Sequence, residues 1–170
     1  MKYIKLNKGK YAIIDNEDFE YLSQWKWYIG RNGHYPFTEY AKRNRHIADK
    51  SKEIFMHRVI LEKNGVEIEG KLVDHINHNG LDNRKENMRT ATRSENKTNG
   101  IRYSNNTSGT KGIYFENSDH FKLKKWKAAI SINGKWTNLG RFITKEEAIK
   151  VRKKAENKYF GEFAYQGGGI

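Results

Sequence analysis

The sequence predicts an α+β protein: a mixed N-terminal region, a short strand–strand–helix unit, and then a three-stranded antiparallel sheet packed on one helix. Three observations predict this class. Short segments in which apolar and polar residues alternate recur along the chain, as is typical of half-buried strands. Asn-Gly pairs at residues 32–33 and 133–134 favour tight hairpin turns. Capping boxes at residues 92–95 and 144–147 each predict the start of a helix.

Residues 1–70 are predicted to form small strands and one short helix. The alternating runs are KYIKL, KYAIID, WKWYIG and FTEYAKR. Between the second and the third run, NEDFEYLSQW fits a short helix with Asn16 as its N-cap. One face of this helix would carry Phe19, Leu22 and Trp25. The segment MHRVILEK, residues 56–63, fits either a strand or a helix.

Residues 71–99 are predicted to fold as a strand, a polar loop, a second strand and a helix. Leu72 and Val73 form the apolar entry of the first strand, and the loop runs from Ile76 to Asn87. MRTA is the second strand, and the first capping box starts a helix at about residue 93. Residues 99–110 are rich in Asn, Ser, Thr and Gly, which is typical of a linker.

The segment 111–163 is predicted to form three strands and a helix. KGIYF, WKAAISI and KWTNLGRF are the strands, and an Asn-Gly turn joins the last two. Alternation in the second strand places one set of residues on the core face: Trp126, Ala128, Ile130 and Ile132. The opposite face would carry Lys127, Ala129 and Ser131. A helix that Gly161 stops is predicted to pack across the back of the sheet. Helical spacing places on one face of it Ala148, Val151 or Arg152, Ala155 and Tyr159.

The composition narrows the class of function. The 170-residue chain carries 33 Lys and Arg against 20 Asp and Glu, and its net charge of +13 favours a polyanionic partner such as nucleic acid. The absence of cysteine excludes disulfides, cysteine-based zinc ribbons and a cysteine nucleophile, so any metal must bind His, Asp, Glu or Asn. No apolar run approaches the about 20 residues of a membrane helix. The N-terminus lacks an apolar signal core, so we expect a cytoplasmic protein.

The middle segment concentrates residues that could carry chemistry. Asp74 and His75 are adjacent at the end of a predicted strand, Asn87 follows at the end of the loop, and Asn96 lies on the predicted helix. Asp and Asn oxygens suit a hard cation such as Mg²⁺, and a neutral imidazole suits removal of a proton from water. A one-metal phosphodiesterase site is therefore one interpretation. From residue types alone, surface residues and backbone-capping asparagines are the more common alternative.

The pair His57-Arg58 and the run VDHINHNGLDNRKENMRTATRSEN closely resemble HNH homing endonucleases of phages and mobile introns. The resemblance is strong over about residues 50–99 and extends more weakly to residue 1. It implies that residues 71–99 form the ββα-metal catalytic unit of that family. The implied cofactor is Mg²⁺ or Mn²⁺.

The resemblance also implies a role for each matching residue. Asp74 takes the place of the first metal ligand, and His75 that of the general base. Asn87 matches the residue that hydrogen-bonds across the loop and orients the histidine, and Asn96 matches the second metal ligand, where many members carry His. Arg89 and Arg93 are candidates for phosphate contact, with solvated positions as the equal alternative. His57 is expected to have a structural or backbone-contact role and no catalytic role, His78 to be a loop residue, and Asn83 to form a turn.

The C-terminal segment, about residues 108–164, resembles the ethylene-response-factor (AP-two) DNA-binding domain of plants. The step LGRF and the ending YFGEFA are characteristic of that family. The resemblance implies that the three-stranded sheet reads the DNA major groove. The positions that match the family's DNA contacts are Lys111, Tyr114, Lys127, Ser131, Trp136 and Asn138.

Together the two resemblances imply a site-specific DNA endonuclease of the homing type. Its nuclease domain would span residues 1–98, its linker residues 99–110, and its DNA-binding domain residues 111–170. One active site per chain favours nicking of double-stranded DNA by a monomer, leaving 5′-phosphate and 3′-hydroxyl ends, and leaves a dimer open. The expected location is the cytoplasm of a bacterium or of a phage-infected host cell. The alternative is a DNA-binding regulator with a degenerate nuclease centre.

Overall fold

The computed structural model describes residues 1–32, 38–47, 50–100, 106–117, 123 and 125–165. It is a mixed α+β structure of small antiparallel sheets and helices. The chain forms two compact units, Met1–Asn96 and Lys97–Ile170. The predicted turn after Asn32 and residues 101–105 of the predicted linker lie outside the described residues.

The first unit begins with an antiparallel pair, β1 (Lys2–Lys5) and β2 (Tyr11–Ile14). A turn of 3₁₀ helix, Asn16–Asp18, leads into the short helix α1 (Phe19–Ser23). The prediction that Asn16 is an N-cap is wrong, because Asn16 is already inside the 3₁₀ turn and Asp15 precedes it. The Asp15 carboxylate instead accepts a hydrogen bond from the backbone N–H of Lys85 at 2.9 Å.

A second antiparallel sheet has the strand order β3 (Tyr28–Asn32), β4 (Thr38–Ile47) and β5 (Lys50–Phe55). The sequence did not predict β5, because its exposed polar run has no apolar alternation. The ambiguous segment MHRVILEK is a helix, α2 (Met56–Lys63). Helical spacing puts its buried residues on one face, at Met56, His57, Ile60 and Leu61.

The strand–strand–helix unit forms where the sequence predicted it. β6 (Leu72–His75) and β7 (Met88–Ala91) are antiparallel, and α3 (Arg93–Asn99) follows. Both bonds of the predicted capping box are present. The Glu95 N–H donates to Thr92 Oγ1 at 3.2 Å, and the Thr92 N–H donates to Glu95 Oε2 at 2.7 Å.

The second unit contains the predicted three-stranded sheet, in the order β10 (Lys135–Phe142), β9 (Trp126–Ile132) and β8 (Ile113–Phe115). The hairpin turn has φ values of 50° at Asn133 and 80° at Gly134, as a tight two-residue turn requires. A β-bulge interrupts the register between Asn138 and Gly140. The bulge reverses which residues of β10 face the helix from that point onward.

The helix α4 (Lys145–Phe160) starts at a capping box formed by Thr144 and Glu147, and Gly161 ends it with φ of 52°. Of the two residues allowed by the spacing, Arg152 rather than Val151 is buried, and its guanidinium donates to Glu156 Oε1 at 2.8 and 2.9 Å. The prediction that Tyr159 is buried is wrong, because 48% of it is exposed. The buried stripe instead turns polar at the Arg152–Glu156 pair.

The first unit has the larger core, which is built from β1, β2, β4, α1 and α2 with Trp27, Ile68 and Met88. A smaller core lies between α4 and its sheet around Ile113, Ala128 and Ala148. Within the described ranges, no helix combines the length and the apolar surface needed to cross a bilayer.

Candidate active site

The loop from Ile76 to Asn87 connects β6 to β7, and hydrogen bonds of the Asn87 side chain hold it closed. Asn87 Oδ1 accepts a hydrogen bond from the Asn77 N–H at 3.0 Å, and Asn87 Nδ2 donates to the Asp82 carbonyl at 2.8 Å. The Ile76 N–H donates to the Asn87 carbonyl at 2.9 Å. This one residue therefore bridges the strand end after His75 and the returning part of the loop.

Asp74 lies on β6 directly opposite Arg89 on β7. The carboxylate is buried, and the Arg89 Nε and Nη2 atoms contact its Oδ2 at 2.8 and 2.7 Å. Arg89 was a candidate for phosphate contact, but its guanidinium is bound to Asp74 and largely covered. The pair compensates the Asp74 charge and fixes the orientation of the carboxylate.

The imidazole of His75 is buried at the end of β6. Its Nε2 lies 3.3 Å from Asn83 Oδ1, and its ring meets those of His57 and Tyr40 at centroid distances of 5.3 and 5.7 Å. Burial lowers the pKa of His75, while its bond to Asn83 and the carboxylates of Asp74 and Asp82 oppose that shift. His75 therefore stays neutral, and able to take a proton, at pH values below those at which a histidine usually becomes protonated.

His57 packs against the His75 ring on its buried side. Its ring stacks on Phe55 at 5.4 Å, and its Nδ1 is buried without a hydrogen-bond partner among the residues that the structure describes. Burial, with smaller contributions from His75 and Arg58, lowers the pKa of His57 to about 3. His57 is therefore neutral and packs as an aromatic ring.

The sequence interpretation missed two residues of this site. Tyr40 comes from β4, which lies far from the motif in sequence. Asn83 was expected only to form a turn, yet it is fully buried against His75. No local pattern signals either contact, because both depend on how β2 and β4 pack beside the loop.

Asn96 is half-buried on the second turn of α3, and its N–H donates to the Thr92 carbonyl at 3.0 Å. Arg93, at the start of the same helix, is exposed. Asp74, His75, Asn87 and Asn96 thus all belong to the unit formed by β6, the loop, β7 and α3.

The donor atoms suit a cation that keeps most of its water. Among the described residues, no three or more His, Cys, Asp and Glu side chains form a metal cage. Mg²⁺ in nucleotide-cleaving sites is commonly bound by one or two protein oxygens together with water and substrate phosphate. One carboxylate from Asp74 and one amide oxygen from Asn96 fit that requirement.

The sheet of the second unit has one face away from α4, which we call the open face. Directly opposed residues share a face, so the register assigns to it the residues Tyr114, Lys127, Ala129, Ser131, Trp136, Asn138 and Arg141. The rings of Tyr114 and Trp136 lie 6.1 Å apart, and the ammonium of Lys127 lies 4.9 Å from the Trp136 ring. Aromatic and cationic groups are therefore combined on one surface.

Glu116 binds two cations of the open face. Its Oε2 accepts from Arg141 Nε and Nη2 at 2.9 and 2.6 Å, and its Oε1 lies 3.3 Å from Lys127 Nζ. The sequence interpretation missed Arg141, because simple alternation along β10 places it on the core side. The bulge after Asn138 moves it to the open face.

Lys111 has a different environment from the other candidate DNA contacts. Its ammonium donates to the carbonyls of Thr98 and Gly100, both at 2.7 Å. Burial lowers the pKa of Lys111 to about 8. We therefore assign Lys111 to the stabilisation of the C-terminal end of α3 and leave it out of the open face.

Comparison with known proteins identifies the family. Residues 55–98, which hold Asp74, His75, Asn87 and Asn96, match the family model described as HNH endonuclease. The chain is 30% identical over 162 residues to an uncharacterized HNH endonuclease of Acanthamoeba polyphaga mimivirus, covering 92% of this chain and 74% of that protein. No solved structure matches the chain. The chain therefore belongs to the HNH endonuclease family, a family of nucleases that act on DNA.

Proposed function

We propose that this protein is a site-specific DNA endonuclease of the homing type, which nicks one strand of double-stranded DNA as a monomer. The observation that carries this proposal is the buried pair Asp74 and His75 at the end of β6, one oriented by Arg89 and the other neutral. Both lie in the strand–strand–helix unit within the residues that match the family. We assign that unit as the ββα-metal core.

In the proposed reaction, His75 is the general base. Its neutral imidazole takes a proton from water, and the resulting hydroxide attacks the phosphorus of the scissile phosphate. The bond from phosphorus to the 3′-oxygen breaks, and this oxygen takes a proton from solvent. The products are a 5′-phosphate and a 3′-hydroxyl end.

Asp74 and Asn96 would hold Mg²⁺ or Mn²⁺, and a cation bound there would stabilise the negative charge that develops on the phosphate oxygens. Arg89 keeps the Asp74 carboxylate in place. Asn87 keeps the loop closed, so that the loop residues and the neighbouring His75 hold their positions. Arg93, exposed at the start of α3, is available to contact a DNA phosphate.

Residues 111–170 would supply site recognition as an AP-two-like domain. In this proposal the open face lies in the major groove, where Lys127 contacts phosphate and Tyr114, Ser131, Trp136 and Asn138 reach base edges. The support is the three-stranded sheet packed on one helix, with aromatic and cationic side chains on the face that the helix leaves uncovered. The net charge of +13 favours the same partner.

The test uses supercoiled plasmid that carries the DNA flanking the protein's own gene, incubated with the full chain and either Mg²⁺ or EDTA. We expect metal-dependent conversion to open circle, with nick sites that map to one sequence. Linear product would show that both strands are cut and would replace the monomer proposal with a dimer. Tight binding without cleavage in both Mg²⁺ and Mn²⁺ would overturn the nuclease proposal in favour of a regulator.

A further inference from the structure

We propose that Asn83 is a positioning residue that holds the His75 imidazole in the tautomer with its proton on Nε2. The proposal rests on the proposed role of His75 as the general base. It assigns Nδ1 as the atom that takes the proton from water.

The contact itself is buried. Asn83 is fully buried, His75 is 5% exposed, and Asn83 Oδ1 lies 3.3 Å from His75 Nε2. Buried side-chain amides almost always have hydrogen-bond partners, because an unpaired polar atom there is costly. The two side chains therefore form a polar contact, and the rings of His57 and Tyr40 pack against the His75 ring beside it.

The orientation of the Asn83 amide follows from its other contacts. Its Nδ2 donates to the Leu81 carbonyl at 3.2 Å and reaches Met56 Sδ at 3.8 Å. Rotating the amide by half a turn would place Oδ1 against the Leu81 carbonyl oxygen, two acceptors with no proton between them. The oxygen therefore faces His75. An amide oxygen can only accept, so His75 Nε2 must carry the proton.

The backbone around Asn83 is fixed from two sides. Its N–H donates to the Ile13 carbonyl at 2.8 Å, and the Ile13 N–H donates to the Leu81 carbonyl at 2.8 Å. The Asn87 side chain holds the Asp82 carbonyl, one residue earlier. The backbone of Asn83 is thus held by β2 on one side and by the Asn87 side chain on the other, and its amide is in place before substrate binds.

A fixed tautomer matters for a general base. The two ring nitrogens have different positions, and only the one without a proton can accept a proton from water. The bond to Asn83 removes the alternative tautomer, in which the lone pair would point at Asn83 instead. Loss of this bond is therefore expected to lower kcat with little change in KM.

The test reads the tautomer directly by two-dimensional NMR of the full chain labelled with ¹⁵N-histidine at neutral pH. The His75 signals are assigned by their loss in His75→Gln. We expect a neutral ring with a protonated Nε2 and an unprotonated Nδ1. A wild-type His75 protonated on Nδ1 would overturn the proposal, whether or not any variant folds.

Two variants then connect the tautomer to cleavage. Asn83→Leu keeps the shape without an acceptor, and we expect mixed tautomers and a kcat lower by about 10- to 100-fold at unchanged KM. Asn44→Leu, the same substitution at an exposed position of β4, is the matched control and should behave as wild type. An unchanged tautomer and unchanged cleavage in a folded Asn83→Leu would also overturn the proposal.

The readouts separate this proposal from the proposed function. If wild-type protein cleaves DNA but carries the proton on Nδ1, the endonuclease assignment stands and the role of Asn83 falls. If wild-type protein never cleaves DNA, the endonuclease assignment falls. In that case the assignment of Asn83 as the residue that fixes the tautomer is still decided by the NMR signals of wild-type protein and Asn83→Leu.

Discussion

Replacing His57 by phenylalanine should make the first unit less sensitive to acid. His57 is 8% exposed, and its pKa of about 3 lies well below the 6.5 of an unfolded histidine. Because the folded pKa is the lower one, the unfolded chain binds a proton that the folded chain does not. The stabilising contribution is therefore complete above pH 6.5 and is lost as the pH falls from 6.5 towards 3.

The magnitude follows from the two pKa values. At about pH 5 an unfolded histidine is about 97% protonated, while His57 in the folded chain stays almost entirely neutral. Proton linkage then costs about 2 kcal/mol of unfolding free energy at pH 5 relative to pH 7.5. Phenylalanine cannot take a proton but can stack on Phe55 in the same way. The loss between the two pH values should shrink by about 2 kcal/mol in His57→Phe.

The assay is urea unfolding at about pH 5 and about pH 7.5, and hydrogen–deuterium exchange of peptides from α2 and β6 is the readout. These peptides report on the first unit alone. Comparing the pH-dependent loss in variant and wild type cancels any constant effect of the substitution on packing. His46→Phe, at an exposed position of β4, is the control. Its unfolding free energy should fall between the two pH values by as much as that of wild type. Equal losses in wild type and His57→Phe would refute the reasoning.

Three further predictions concern the second unit. Gly112→Ala should destabilise it by at least about 1 kcal/mol in thermal unfolding, because φ is +72° and a Cβ would meet the Ala129 carbonyl oxygen at 2.5 Å; an unchanged Tm would contradict this. Thr144→Ala removes a capping box and should cost about 1 kcal/mol by urea unfolding, whereas Thr137→Ala serves as a comparison outside any cap. Trp136→Ala should weaken binding to cognate duplex by about tenfold in fluorescence anisotropy without changing Tm, because its ring is 56% exposed on the open face; equal affinity would remove the open face as the DNA contact.

The sequence predicted the elements whose signals are local. β6, β7 and α3 formed as expected, because the apolar entry of the strand and the capping box at Thr92 and Glu95 depend only on neighbouring residues. The hairpin at Asn133 and Gly134 is local in the same sense. By contrast β5 has a polar, exposed sequence and becomes a strand only because β4 offers an edge to pair with.

The site shows the same division. The motif predicted Asp74 and His75 as site residues. The pairing of Arg89 with Asp74 could have been predicted from the register of β6 and β7, since oppositely charged residues directly across an antiparallel pair attract. Asn83 could not be recognised, because its burial depends on a bond to Ile13, seventy residues earlier in the chain. The environment of Lys111 could not be predicted from its own segment either, because the carbonyls that accept from its ammonium belong to Thr98 and Gly100 at the end of α3.

The most direct test of the central claim is single-turnover cleavage of one mapped DNA duplex in Mg²⁺ by wild type and His75→Ala, with the DNA affinity of both proteins measured in Ca²⁺. The account predicts that His75→Ala binds the duplex as tightly as wild type but cleaves it at least about 100-fold more slowly. Cleavage by His75→Ala at the wild-type rate would contradict the account, because the proton of the attacking water would then go to another group.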